Sequence, residues 1–91
     1  MPKAKMLKYH KYEDPAHGWL KVSMKTIRQL NLKDQISRYS FVSGSFVFLE
    51  EDRDMPLFIQ AWENQVGCQF PPIERHTADE KSWIRQYPAY N

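Results

Sequence analysis

Apolar and polar positions alternate most clearly between Ile36 and Asp54, in the stretch ISRYSFVSGSFVFLEEDRD. Tyr39, Phe41, Phe46 and Phe48 fall on one face of a strand pair, and Val42, Val47 and Leu49 on the other. The loop between the strands is Ser43-Gly44 or Gly44-Ser45. Both faces are apolar, so the hairpin belongs in a sheet covered on one side at least. Its aromatic face is either core or a binding platform.

Upstream, His17–Val22 reads as a strand, with Trp19 and Val22 straddled by Leu20 and Lys21. Ser23 is a natural N-cap for a short helix in which Met24, Ile27 and Leu30 recur at helical spacing while Lys25, Arg28 and Gln29 face outward. Asn31 suits the left-handed residue that closes it, and Lys33 to Ser37 connects it to the hairpin. Downstream, Asp54 fits an N-cap and Pro56 the first turn of a second helix. Leu57, Phe58, Ala61, Trp62 and Val66 form its apolar stripe, and Gly67 ends it. Cys68–Ile73 reads as a last strand, placed at an edge by Pro71-Pro72. Thr77 and Glu80 have capping-box spacing for a further turn through Trp83 and Ile84.

The order β-α-β-β-α-β predicts an α+β domain: a four-stranded, mostly antiparallel sheet with two helices on one face, ferredoxin-like. The predicted core includes Trp19, Leu20, Ile27, Leu30, Val47, Leu49, Phe58, Ala61 and Trp62. Residues 1–12 alternate lysine with small and aromatic residues and show no helical or strand period. They read as a flexible basic arm ahead of a single domain over 13–91.

Ninety-one residues leave no room for a separate catalytic domain, and thirteen aromatic residues let a few large side chains fill a small core. No apolar run approaches the roughly 18 residues of a membrane span, and no apolar segment follows the N-terminal lysines as in a signal peptide. A cytoplasmic chain is expected. A single cysteine excludes an internal disulfide, and Cys68 reads as a buried or half-buried structural thiol. Residues 1–38 carry nine Lys/Arg against three acids, and residues 39–91 carry four against eight. The chain is basic, then acidic, which can steer partners of either sign.

The densest chemical group is Glu50, Glu51, Asp52 and Asp54. Strand alternation divides neighbouring carboxylates between opposite sides, and the spacing lacks the glycine and distant glutamate of a calcium loop. His10, His17, His76 and Cys68 are soft-metal ligand types, yet no two stand at a recognised short spacing. Neither metal nor cofactor is predicted. Three isolated glycines cannot form a phosphate cradle, and Cys68 has no glycine-framed elbow around it, so an enzyme is not expected.

The aromatic hairpin face is comparable with RNA-recognition domains, which stack bases on exposed sheet aromatics. Ser43-Gly44-Ser45-Phe46-Val47-Phe48 supplies their glycine and aromatics without their basic residue. Lys3, Lys5, Lys8, Tyr9 and Lys11 could add phosphate contact and stacking. A nucleic-acid-binding module using this arm and the hairpin face is the alternative reading.

At Asp14-Pro15-Ala16-His17-Gly18-Trp19-Leu20-Lys21-Val22, Phe48-Leu49-Glu50-Glu51-Asp52-Arg53-Asp54 and Ser82-Trp83-Ile84-Arg85-Gln86-Tyr87, the chain resembles small single-domain proteins of bacterial phages, plasmids and related mobile elements. The resemblance implies a non-enzymatic protein-interaction module, such as an anti-CRISPR-like inhibitor that binds a host-defence protein or protein–nucleic-acid complex stoichiometrically. Glu50, Glu51 and Asp52 would form its acidic edge, and Trp83, Arg85 and Tyr87 would be contact residues.

Overall fold

A computed structural model describes residues 8–80 and 82–90. The elements run β1 (Tyr9–Glu13), β2 (Gly18–Ser23), α1 (Met24–Gln29), β3 (Phe41–Ser43), β4 (Phe46–Glu50), α2 (Asp54–Val66) and β5 (Ile73–Thr77), followed by a 3-10 helix (Trp83–Gln86). From β2 onward the order is the expected β-α-β-β-α-β. The sheet, however, has five strands in the order β3-β4-β2-β1-β5, and it is mixed, because β5 runs parallel to β1 while the other pairs are antiparallel.

The fifth strand comes from the segment that lacked periodicity. Tyr9–Glu13 pairs with β2 on one side and with β5 on the other. Alternation hides here because the strand has side chains to satisfy on both faces. Tyr9 packs with Phe58 and Phe70 in the core, while Tyr12 packs with Phe48 and Trp83 on the opposite face. Between them Lys11 sits among Glu13 and Glu51, 2.9 Å from each. Of the expected arm, Lys3 and Lys5 lie outside the described residues.

Local signals set the first helix and the hairpin. The Ser23 hydroxyl accepts a hydrogen bond from the Thr26 N–H, and Asn31 closes the segment at φ 60°. The hairpin loop is Gly44-Ser45, with Gly44 at φ 60°. Leu20, Val22, Val47 and Leu49 meet Ile27 of α1 and Phe58 of α2 in one core cluster, so both helices cover the same face of the sheet. Leu30, Ala61 and Trp62 pack at its half-buried margin, whereas Val66 is exposed in the last turn of α2.

Three expectations are corrected. The last strand is Ile73–Thr77 rather than Cys68–Ile73: Pro71-Pro72 precede it, and a proline has no N–H to give a ladder. Cys68, next to the left-handed Gly67 that ends α2, is exposed rather than buried. Thr77 belongs to β5, and the following turn is capped instead by Ser82, whose hydroxyl accepts from the Ile84 N–H. No helix among the described residues is long and apolar enough to cross a membrane.

Candidate functional site

The face of the sheet turned away from α1 and α2 is only partly covered. Alternation and register place Trp19 and Lys21 of β2, His10 and Tyr12 of β1, Glu74 and His76 of β5, and Phe41, Phe46 and Phe48 of the hairpin on this side. The C-terminal 3-10 helix lies over its middle. Ile84 is fully buried against Trp19 and Phe48, and Tyr87 stacks on Phe48 with ring centroids 5.6 Å apart. Trp83 meets Tyr12, Phe48 and Tyr87 edge-on yet keeps 50% of its surface exposed. The hairpin aromatics are therefore divided between core and platform: Phe48 is buried and Phe46 is exposed. Tyr39 lies outside the strands and is exposed.

The 3-10 helix is held by Asp14. Arg85 donates to both of its oxygens, Nε at 2.9 Å and Nη2 at 3.2 Å, and the N–H groups of Ala16, His17 and Ser82 complete the shell. The Arg85 guanidinium foremost, and then these N–H groups, hold the buried Asp14 carboxyl far below the usual carboxylate range. The guanidinium also lies 5.2 Å over the Trp19 ring. Arg85, expected at an interface, is thus committed to docking the segment that displays Trp83.

Two open grooves meet the two histidines, one at His76 and the other at His10. One, of about 560 Å³, is lined by Tyr12, His76 and Trp83 together with Glu13, Asp79 and Glu80. The other, of about 330 Å³, is lined by Lys8, His10, Lys21 and Phe46 with Ser23 and Thr26, and has no acidic side chain in its lining among the described residues. There the Lys21 ammonium lies 4.2 Å from the Phe46 ring centroid. Between the grooves, His10 Nδ1 and His76 Nε2 are 3.0 Å apart, and Tyr12 stacks on the His76 ring. A strip of aromatic, imidazole and basic groups thus runs from Trp83 to Phe46.

The acidic group is built differently from the expected edge. Asp54 is no N-cap: it lies inside the first turn of α2, fully buried, and accepts from the Ser37 N–H, the Ser37 and Ser40 hydroxyls and Arg53. Glu50, also buried, turns back to accept from the N–H groups of Asp52, Arg53 and Asp54. Glu51 pairs with Lys11, which leaves Asp52 as the exposed acid of the predicted trio. These carboxylates organise the β4–α2 junction. Of the alternative set, Lys8 is exposed and pairs with Glu74, Lys11 is enclosed by two acids, and Tyr9 packs into the core.

Sequence reasoning missed the Lys21–His10–His76 part of the strip, because its residues come from three strands whose adjacency depends on β1 being a strand at all. The alternation of His10 with Tyr12 and of Glu74 with His76 was the available signal. Compared with known proteins, the chain matches no family model, no curated protein and no solved structure.

Proposed function

We propose that the protein is a non-enzymatic binding module that works by stoichiometric association through the strip on the helix-free sheet face. One observation carries this reading: Trp83 stays half exposed on top of a closed cluster of Trp19, Phe48 and Ile84, on a segment pinned by the buried Asp14. A large aromatic held rigidly beside a groove is the kind of residue on which interface energy concentrates. Asp79 and Glu80 in the lining of that groove suit a partner that brings a basic side chain next to an apolar one. On the resemblance to small proteins of mobile elements, that partner would be a host protein or protein–nucleic-acid complex, blocked by occupation of its surface.

A second reading rests on the groove at the other end. Lys8 and Lys21 beside the exposed Phe46 offer phosphate contact next to a ring on which a base can stack. Both readings are tested by capturing partners from host lysate on the immobilised protein, with and without nuclease. A Trp83→Ala variant and a Lys21→Ala/Phe46→Ala variant serve as paired controls. Nuclease-resistant capture lost with Trp83→Ala is the expected result. Binding of a single-stranded oligonucleotide at physiological salt, lost with the second variant alone, would replace the first reading by the second.

The sheet is consistent with a ferredoxin-like arrangement carrying one inserted strand. With β1 removed the order reads β3-β4-β2-β5, and β1 then stands between β2 and β5. On this reading the inserted strand is what brings His10 and Tyr12 to the binding face.

A further inference from the structure

We propose that His10, His76 and Glu74 form a binding site for a zinc-class divalent cation on the exposed sheet face. The parallel β1–β5 pairing sets His10 directly opposite Glu74, with His76 two residues further along the same face. One oxygen and two nitrogens of these residues lie within 4.8 Å of one another. Two donors bound to one tetrahedral zinc at about 2.0–2.1 Å stand roughly 3.3 Å apart. His10 Nδ1 and His76 Nε2, at 3.0 Å, are within a few tenths of an ångström of that separation. The Glu74 Oε2 atom is 4.0 Å from His76 Nε2, and its side chain is exposed enough to close the remaining gap by rotation.

The surroundings favour this use. Tyr12 stacks on the His76 ring at 4.8 Å and 16°, which fixes the plane from which Nε2 points. Lys8 Nζ binds the other carboxylate oxygen, Oε1, at 3.3 Å, leaving Oε2 toward the histidines. In the cation-free protein the two facing ring nitrogens share one proton as a hydrogen bond. When both rings are neutral, cation entry shifts that N–H to the far nitrogen of the donor ring, and no net proton is released. Three ligands leave at least one coordination position open to water or to an incoming donor. Two imidazoles select Zn²⁺, Co²⁺, Ni²⁺ or Cu²⁺ over Mg²⁺ and Ca²⁺.

The test uses the untagged full chain titrated with Zn²⁺ against a chromophoric chelator. One equivalent should bind at micromolar concentration, and His10→Ala and His76→Ala should each weaken binding by about tenfold or more. Glu74→Gln should weaken it several-fold, while His17→Ala, altering a histidine outside the set, should change nothing. A readout on the unmodified chain guards against misfolded variants: in nitrogen-detected imidazole spectra, Zn²⁺ should shift Nδ1 of one histidine and Nε2 of another, and Mg²⁺ should shift neither. Absence of one-equivalent binding below about 100 µM Zn²⁺, or binding indifferent to both histidine changes, overturns the proposal and leaves a plain His–His hydrogen bond.

Discussion

Asp54 shows how much one buried carboxylate can organise. Fully enclosed, it accepts from a backbone N–H, two hydroxyls and a guanidinium, and so joins the 37–40 loop to the start of α2. Ser40, held by Asp54, in turn accepts from the Glu50 N–H at the end of β4. Replacing Asp54 with alanine strands these donors, and a loss of about 3 kcal/mol is expected in urea unfolding, where a surface acid such as Asp52 should cost under about 0.5 kcal/mol. Asp14 carries a pH dependence instead. Its folded pKa lies below its unfolded value, so its contribution is complete above the ordinary aspartate range and is lost as pH falls through that range toward the folded value. Melting temperature should drop on acidification below about pH 4 in the native protein. Asp14→Asn should begin lower at neutral pH and lose less over the same interval. Cys68, exposed and outside both core clusters, should react with a thiol reagent in the folded state without an unfolding step.

At the scale of elements, the signals that were legible are those a segment carries by itself. Ser23 caps α1, Gly44 turns the hairpin, Gly67 ends α2, and Phe58 points from α2 into the core. Phe58→Ala should therefore cost about 3–5 kcal/mol in equilibrium unfolding, and a cost within about 0.5 kcal/mol would remove α2 from the core. What stayed hidden depended on partners far along the chain. Tyr9–Glu13 lacks an apolar alternation because Lys11, on its helix-side face, is satisfied by Glu13 and Glu51 rather than excluded from it. Burial draws the Lys11 pKa down, yet these two carboxylates outweigh it and leave the pKa raised. Asp54 looked like a cap because carboxylates are common at helix starts, whereas here its oxygens face a loop seventeen residues earlier. The strip proposed as a binding surface was half legible: the aromatic hairpin face and Trp83 were visible, but their union with His10 and His76 needed the sheet order.

At the scale of the molecule, folding removes several of the described residues from the basic-then-acidic charge division along the chain. Glu50 and Asp54 are buried, Glu51 faces Lys11, and Lys8 faces Glu74. Charge tests of function therefore need different residues from those a linear reading suggests. Asp79→Asn with Glu80→Gln should slow association with a basic protein partner and flatten its salt dependence, as measured by association rates at several ionic strengths. Glu50 has to be kept intact, since losing it would disturb the β4–α2 junction and mix stability with binding. The position of β1 has a further consequence, one of time rather than of shape. During synthesis this strand can pair early with β2, but its other edge stays open until residues 73–77 have been made. For that interval its unpaired backbone is available to any neighbouring chain, so slow translation between α2 and β5 should raise aggregation of the nascent protein.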